Sequence, residues 1–312
     1  MMTKGLTSRR SFLAASGAAL IAAGSSTAAP IKVRSSRIGV TTVSLRDRIP
    51  FRLPGAAQPA RGELDLHGAP RFVADVLGLK KLEVWNLQFD DTSDVYCAAL
   101  RDAARRSGVR ITNVQLDGKL DLGAVAAPDR AMAVADARAW IDRAALIGAS
   151  SLRANLSALA PKAPFDVAPV AESFSELADY AAQKKIMLLT ENHFGHSVAI
   201  ENVIALLEAV DSPNLRTVFD WGNVPSPSTS TVIDALERLA PWLYLVSAKG
   251  VNFDSDYKAA DYDVTAIVKA TEALGYRGDY SIELFGPTPP GFDAVKAIGA
   301  MRTAVEAGLQ SA

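Results

Sequence analysis

Ile186-Met187-Leu188-Leu189-Thr190-Glu191, Thr217-Val218-Phe219-Asp220, Tyr244-Leu245-Val246-Ser247-Ala248-Lys249 and Tyr280-Ser281-Ile282-Glu283 are four short apolar runs. Each stops on a polar residue, and three stop on a carboxylate. Segments with helical periodicity lie between them, and apolar strands alternating with helices read as βα units in a parallel sheet. In a closed (β/α)8 barrel all strand C-termini meet on one face, where the chemistry sits. Carboxylates far apart in sequence then converge there. They repel one another unless a cation neutralises them, and a divalent ion is the usual answer.

The alternation extends in both directions. Strands are expected at Arg37–Leu45, Lys81–Trp85, Arg110–Leu116, Ser150–Asn155, Ile186–Glu191, Leu215–Asp220, Leu243–Ala248 and Tyr280–Leu284. Helices are expected at Pro70–Leu77, Ser93–Ser107, Pro128–Leu146, Val167–Gln183, Ser197–Val210, Thr231–Leu239, Val264–Leu274 and Gly291–Ala307. Gly78, Gly108, Gly148 and Gly275 each follow a helix and precede a strand, the position of a left-handed C-terminal glycine. The expected fold is one (β/α)8 barrel over residues 29–312, with an open doubly wound sheet as the competing architecture. No GxGxxG follows the first strand and no P-loop occurs, so dinucleotide and nucleotide-phosphate sites have no support. Two βα loops are long: Asp47 to Ala69, with several prolines, and the acidic Gly250 to Tyr262. Both would overhang the C-terminal face as walls or lids.

Residues 1–28 fall outside this pattern. Ser8-Arg9-Arg10-Ser11-Phe12-Leu13 is a twin-arginine pattern, followed by a weakly apolar stretch and the small-x-small site Ser26-Thr27-Ala28. The order fits a twin-arginine export signal and predicts a periplasmic protein exported already folded; a frayed tail with two chance arginines is the plainer alternative. The apolar stretch is too short to span a bilayer, and no later segment is long and apolar enough to do so. Removing Lys4, Arg9 and Arg10 leaves 30 basic against 34 acidic residues, a net charge of about −4. That gives no basic footprint for nucleic acid. Cys97 is the only cysteine, so no intramolecular disulfide forms; a buried, inert thiol is expected.

Glu191 is read as a cation ligand or general base. His193, two residues on, shares its face as a ligand or substrate-binding proton carrier, or else caps backbone groups. His196 reads as a capping residue. Asp220 is favoured as a ligand over an N-cap, because Pro225-Ser226-Pro227 argues against an immediate helix. Trp221 either stacks on a sugar ring or packs. Glu283, among apolar neighbours, must be metal-bound or paired, with Lys249 or Arg153 as the partner. Gln115, Arg153 and Asn155 end the third and fourth strands and are substrate-binding candidates, Arg153 being equally readable as structural. Glu83 reads as an inner structural group. Ser247 and Lys249, at the seventh strand end, are poor ligands for a divalent cation.

Leu77-Gly78-Leu79-Lys80-Lys81-Leu82-Glu83, Leu152-Arg153-Ala154-Asn155, Leu189-Thr190-Glu191-Asn192-His193, Phe219-Asp220-Trp221-Gly222-Asn223 and Gly275-Tyr276-Arg277-Gly278-Asp279-Tyr280-Ser281-Ile282-Glu283 together resemble the xylose isomerase-like barrel family. That family includes sugar phosphate isomerases/epimerases, ketose 3-epimerases, inosose dehydratases and relatives of endonuclease IV. The resemblance implies a divalent cation (Mn, Mg, Co or Zn) held by Glu191, Asp220, the position of Ser247, and Glu283. It also implies that Glu191 and Glu283 are acid/base groups beside a carbonyl, with a metal or Lys249 stabilising the enediolate oxygen. The family's His-x-Lys-Asp reads here as Ser247-Ala248-Lys249-Gly250, so one ligand is missing; Gln115 or His193 is the candidate to complete the shell.

The resulting expectation is an exported isomerase, epimerase or lyase. It would act on a free sugar or keto-sugar by removing a proton next to a carbonyl, with Glu191, Glu283 and Lys249 catalytic. A degenerate barrel that binds carbohydrate, or that assists an exported oxidoreductase, is the alternative. Nucleic-acid repair is disfavoured by the net negative charge and by only three histidines. Barrels of this kind are often dimers or tetramers, but the sequence does not fix the oligomeric state.

Overall fold

Eight strands pair in parallel in chain order and the last pairs with the first, closing a barrel. They are β1 (Ile38–Thr41), β2 (Lys81–Trp85), β3 (Arg110–Leu116), β4 (Ser151–Ala154), β5 (Met187–Glu191), β6 (Leu215–Asp220), β7 (Leu243–Gly250) and β8 (Asp279–Leu284). The helices that alternate with them are α1 (Ala69–Asp75), α2 (Asp94–Arg106), α3 (Ala127–Ile147), α4 (Val167–Gln183), α5 (Ile200–Val210), α6 (Thr229–Leu239), α7 (Val264–Ala273) and α8 (Ala294–Gln310). This computed structural model describes residues 36–53, 62–158, 161, 163–286 and 291–311. The export signal expected at 1–28, and part of the first long loop, lie outside the described residues. Among the described residues no helix is long and apolar enough to cross a membrane.

The single barrel is the expected fold, and the open sheet is excluded by the β1–β8 pairing. Three boundaries differ for local reasons. β1 ends at Thr41 because its hydroxyl accepts a hydrogen bond from Val43 N at 3.3 Å and turns Thr42–Leu45 into a 3₁₀ helix. α5 starts at Ile200, since Gly195–Val198 form a separate 3₁₀ turn. α8 starts at Ala294, where Asp293 caps Val295 N and Lys296 N, while Gly291 is left-handed at φ 79° and cannot belong to the helix. Gly78, Gly108, Gly148 and Gly275 have φ of 63°, 64°, 82° and 85°, the left-handed conformation expected of them.

Alternate strand residues face opposite sides. The outward set, including Leu82, Val114, Leu152, Leu188, Phe219, Val246 and Ile282, merges with the helices into one core. In α4, Val170, Phe174, Leu177, Ala178 and Ala181 repeat at helical spacing and are buried, each large side chain contributing about 1.5–3 kcal/mol. Cys97 is a fully buried member of the same core. The inward set behaves differently. Leu189, Val218 and Leu245, with Met187 and Tyr244, form a small apolar plug near the strand starts. Beyond it the inward positions turn polar, where branched apolar layers usually fill such a barrel. Asn113, Gln115, Ser151, Arg153, Glu191, Asp220, Ser247, Lys249 and Glu283 are all buried.

Candidate active site

Strand register decides which charges meet. Asp220 sits opposite Ser247, Lys249 opposite Glu283, and Gln115 opposite Arg153. Lys249 Nζ lies 2.7 Å from Asp220 Oδ2, 3.0 Å from Glu283 Oε1 and 2.9 Å from Asn223 Oδ1. The buried ion pair expected for Glu283 is therefore present, with Lys249 as its partner. Ser247 Oγ donates to Asp220 Oδ2 at 3.1 Å, and Gln115 Nε2 donates to Glu283 Oε2 at 2.9 Å while its own carbonyl accepts from Thr41 Oγ1. Gln115 thus aims Glu283 and has no free amide for a metal shell.

A second set of contacts surrounds Arg153. Its Nε lies 2.8 Å from Glu191 Oε2, an ionic approach rather than a directed hydrogen bond, and its Nη1 donates to Asp117 Oδ1 at 2.5 Å. Asp117 also accepts from Asn155 Nδ2 at 2.8 Å and from the Trp85 indole N–H at 2.7 Å. Among the described residues, Asn155 Oδ1 and His193 Nδ1 are buried without a hydrogen-bond partner. A substrate hydroxyl would satisfy each, donating to Asn155 Oδ1 and pairing with His193 Nδ1 as its tautomer dictates.

Asp117 was not singled out from the sequence. It lies one residue past β3 in an Asp-Gly pair that looks like an ordinary turn. Asn223, which holds Lys249 and approaches Glu191 Oε1 at 3.4 Å, was also missed. Three sequence expectations need correction. Asp220 does cap a helical turn, accepting from Gly222 N and Asn223 N, because the 3₁₀ turn Trp221–Asn223 is complete before the prolines. Trp221 is fully buried and donates from Nε1 to the Lys249 carbonyl at 2.6 Å, so its ring faces no ligand. His196 makes its hydrogen bonds through its backbone, donating from N–H to Ser157 Oγ and accepting at its carbonyl from Asn202, while its ring packs on Phe165 and caps no helix. The acidic loop after β7 folds back on itself, and the Tyr262 hydroxyl returns to donate to the Lys249 carbonyl at 2.6 Å.

Electrostatics separates the two glutamates. Burial raises the Glu191 carboxyl well above its usual range; Arg153 opposes this, while Asp220 and Glu283 reinforce it. Burial also acts on Glu283, but the Lys249 ammonium and the Gln115 hydrogen bond outweigh it and hold that carboxyl below its usual range. Two buried carboxyls whose acidities are pushed in opposite directions are the pattern of an acid/base pair. Burial, with Arg153 adding to it, lowers His193 to about 3, so the imidazole is neutral. For Lys249, burial would depress the ammonium, but Asp220, Glu283 and Glu191 overcome it and raise it.

Glu83, one layer deeper, accepts from Asn113 Nδ2 at 2.7 Å, and burial raises it from 4.5 to about 7. An acid with a raised folded-state pKa gives stability that is complete below its unfolded value of 4.5 and lost as pH rises through about 7. Glu83→Gln is therefore expected to be near neutral at pH 5 and to gain up to about 3 kcal/mol relative to wild type at pH 8. Urea midpoints at the two pH values check this; a variant that loses stability at pH 8 refutes the assignment.

A cavity of about 820 Å³ adjoins the strand C-termini between the loops after β3 and β4. Asn86, Leu116, Asp117, Trp140, Phe165 and His196 are among its walls. Its volume suits a small ligand, and Asp117 links it to the Arg153 network. A second cleft of about 460 Å³ lies among the strand starts at the opposite end, beside Arg110, Leu243 and Asp279, away from these groups.

A sequence profile of the xylose isomerase-like TIM barrel matches residues 72–304. The chain belongs to that family. Among xylose isomerase-like barrels of known structure, an L-ribulose 3-epimerase superposes with a TM-score of 0.67 at 18% identity, covering 88% of this chain and 95% of its own. A D-psicose 3-epimerase does so with a TM-score of 0.66 at 18% identity, covering 86% and 96%. The 3-keto-D-glucoside 4-epimerase of E. coli superposes with a TM-score of 0.62 at 12% identity, covering 86% and 99%. At these identities the likeness carries the fold. No curated protein matches the chain.

This xylose isomerase-like chain departs from the metal-binding arrangement that the resemblance implies. A barrel of Mycobacterium smegmatis has been solved in complex with magnesium. Here, no group of three or more His, Cys, Asp or Glu among the described residues is arranged to hold an ion. Asp220 and Glu283 are spanned by an ammonium and Glu191 is met by a guanidinium. Ser247 is a hydroxyl donor where an imidazole lone pair is needed. The donor set does not fit a divalent cation.

Proposed function

We propose that this protein is an isomerase or epimerase, or a carbon–oxygen lyase, that acts on a sugar or keto-sugar by moving a proton at the carbon next to a carbonyl. The observation that carries this reading is the pair Glu191 and Glu283, buried in one site with their acidities pushed in opposite directions. The Glu283 carboxylate takes the proton from carbon. The Lys249 ammonium donates a hydrogen bond to the carbonyl oxygen as it becomes an enediolate. The Glu191 carboxyl returns a proton to carbon for epimerisation, or to a departing hydroxyl for elimination. Asn155 Oδ1 accepts a substrate hydroxyl, His193 Nδ1 pairs with another, and Arg153 orients Glu191. The divalent cation of the original expectation has no part in these steps.

The epimerases of similar fold are named for psicose, ribulose and a 3-keto-glucoside, which supports a ketose or an oxidised glycoside. The twin-arginine pattern supports export to the periplasm and an unphosphorylated substrate. The carbohydrate-binding alternative draws on one observation, that the site's charges are paired internally and at most 4% exposed at Glu191, Asp220, Lys249 and Glu283. Incubating the protein with ketohexoses and 3-keto-glucosides in ²H₂O separates the two readings. Deuterium entering the carbon beside the carbonyl, read by NMR, is the expected result. Saturable binding without exchange would leave only the binding barrel.

A further inference from the structure

We infer that the resident cation of this site is the chain's own Lys249 ammonium, and that the site works without a divalent metal ion. The inference rests on the reading above only for the role of the cation in the reaction; its placement rests on geometry. An ammonium has three N–H donors; Lys249 donates to Asp220 and Asn223 and forms an ion pair with Glu283, all within 3.0 Å. A divalent ion held by the same two carboxylates would sit against that ammonium and be repelled. Asn223 is the one uncharged acceptor of the three, so a substrate oxygen displaces it at the least electrostatic cost.

The lysine is built in rather than merely nearby. Its carbonyl accepts from both Trp221 Nε1 and the Tyr262 hydroxyl at 2.6 Å, which fixes the backbone. Its stem runs over Gly222, where a Cβ would come within 2.7 Å of Lys249 Cδ, 2.8 Å of Cγ and 3.0 Å of Cβ. A side chain at 222 would therefore displace the stem. Ser247 completes the arrangement: it spends its proton on Asp220, and so supports the carboxylate that holds Lys249.

The test reads metal directly and needs no substrate. The full chain is analysed by ICP-MS as purified, and again after incubation with excess Mn²⁺ and desalting, with its melting temperature followed in both states. A Ser247→His/Lys249→Ala double variant is treated in the same way. The wild type is expected to hold under about a tenth of an ion per chain and to melt at an unchanged temperature with Mn²⁺, since an ion that binds only the folded state must raise it. The double variant is expected to retain about one Mn²⁺ per chain and to melt higher with it, because folded-state affinity appears as stability. About one divalent ion per wild-type chain, lost in Asp220→Asn, would overturn the inference. So would a folded double variant that takes up none. If the double variant does not fold, the wild-type measurement decides alone. Failure of the isotope exchange would sink the proposed reaction and leave these metal readings as they stand.

Discussion

Glu191→Gln is expected to reduce turnover by about 10²–10⁴-fold, the range that a positioned acid/base group supplies, while leaving the fold at least as stable as wild type. The two halves follow from one fact. Glu191 is buried and its carboxyl is raised well above the usual range, so its neutral form suits the fold. Such a group costs stability as pH rises from its unfolded value toward its folded one, and glutamine removes that cost. Glu283→Gln should lose as much activity and, unlike Glu191→Gln, also lose stability at neutral pH. Glu283 is held as a carboxylate by Lys249, and folding gains from that pairing above its unfolded pKa. Rates on a ketose that the wild type turns over, together with urea midpoints at pH 7, give the four numbers needed. Retention of wild-type exchange by Glu191→Gln would remove that residue from the mechanism.

Lys249→Met is expected to destabilise the protein by about 3–5 kcal/mol at pH 7, the cost of leaving buried charge without its partner. Asp220 and Glu283, 0% and 4% exposed, would face one another with no cation between them. For a domain whose total stability is about 5–15 kcal/mol this is a large share. The loss should shrink as pH falls, because without Lys249 burial and mutual repulsion favour protonation of the two carboxyls, and protonation ends the repulsion. Chemical denaturation of wild type and variant between pH 4.5 and 8 measures both features. A loss under about 1 kcal/mol at pH 7, or one that grows as pH falls, contradicts the role given to Lys249.

Much of the site was legible because a parallel barrel converts a one-dimensional pattern into a place. An apolar run that ends on a polar residue marks the C-terminal end of a strand, and Gln115, Arg153, Glu191, Asp220, Lys249 and Glu283 all declared themselves in this way. Their partners were legible only in part, Lys249 being one of two candidates for Glu283. That Lys249 spans Asp220 and Glu283 depends on register between β6, β7 and β8, and residue spacing alone carries no register. Asp117 was hidden by its resemblance to a turn, and Asn223 by a 3₁₀ turn short enough to fit ahead of the prolines. Trp221 was readable either as stacking or as packing, and its buried indole N–H, which holds a strand-end carbonyl, decides for packing.

The closing strand has a consequence for how the molecule is made. Glu283 belongs to β8, and its partners Lys249 and Gln115 come from β7 and β3, while β8 also seals the barrel against β1. A nascent chain that has not yet emerged through β8 therefore carries Asp220 and Lys249 but lacks Glu283. Completion of the Lys249 charge cluster and closure of the barrel are therefore the same event. The last strand to be made thus both seals the barrel and delivers the second carboxylate that the buried ammonium needs.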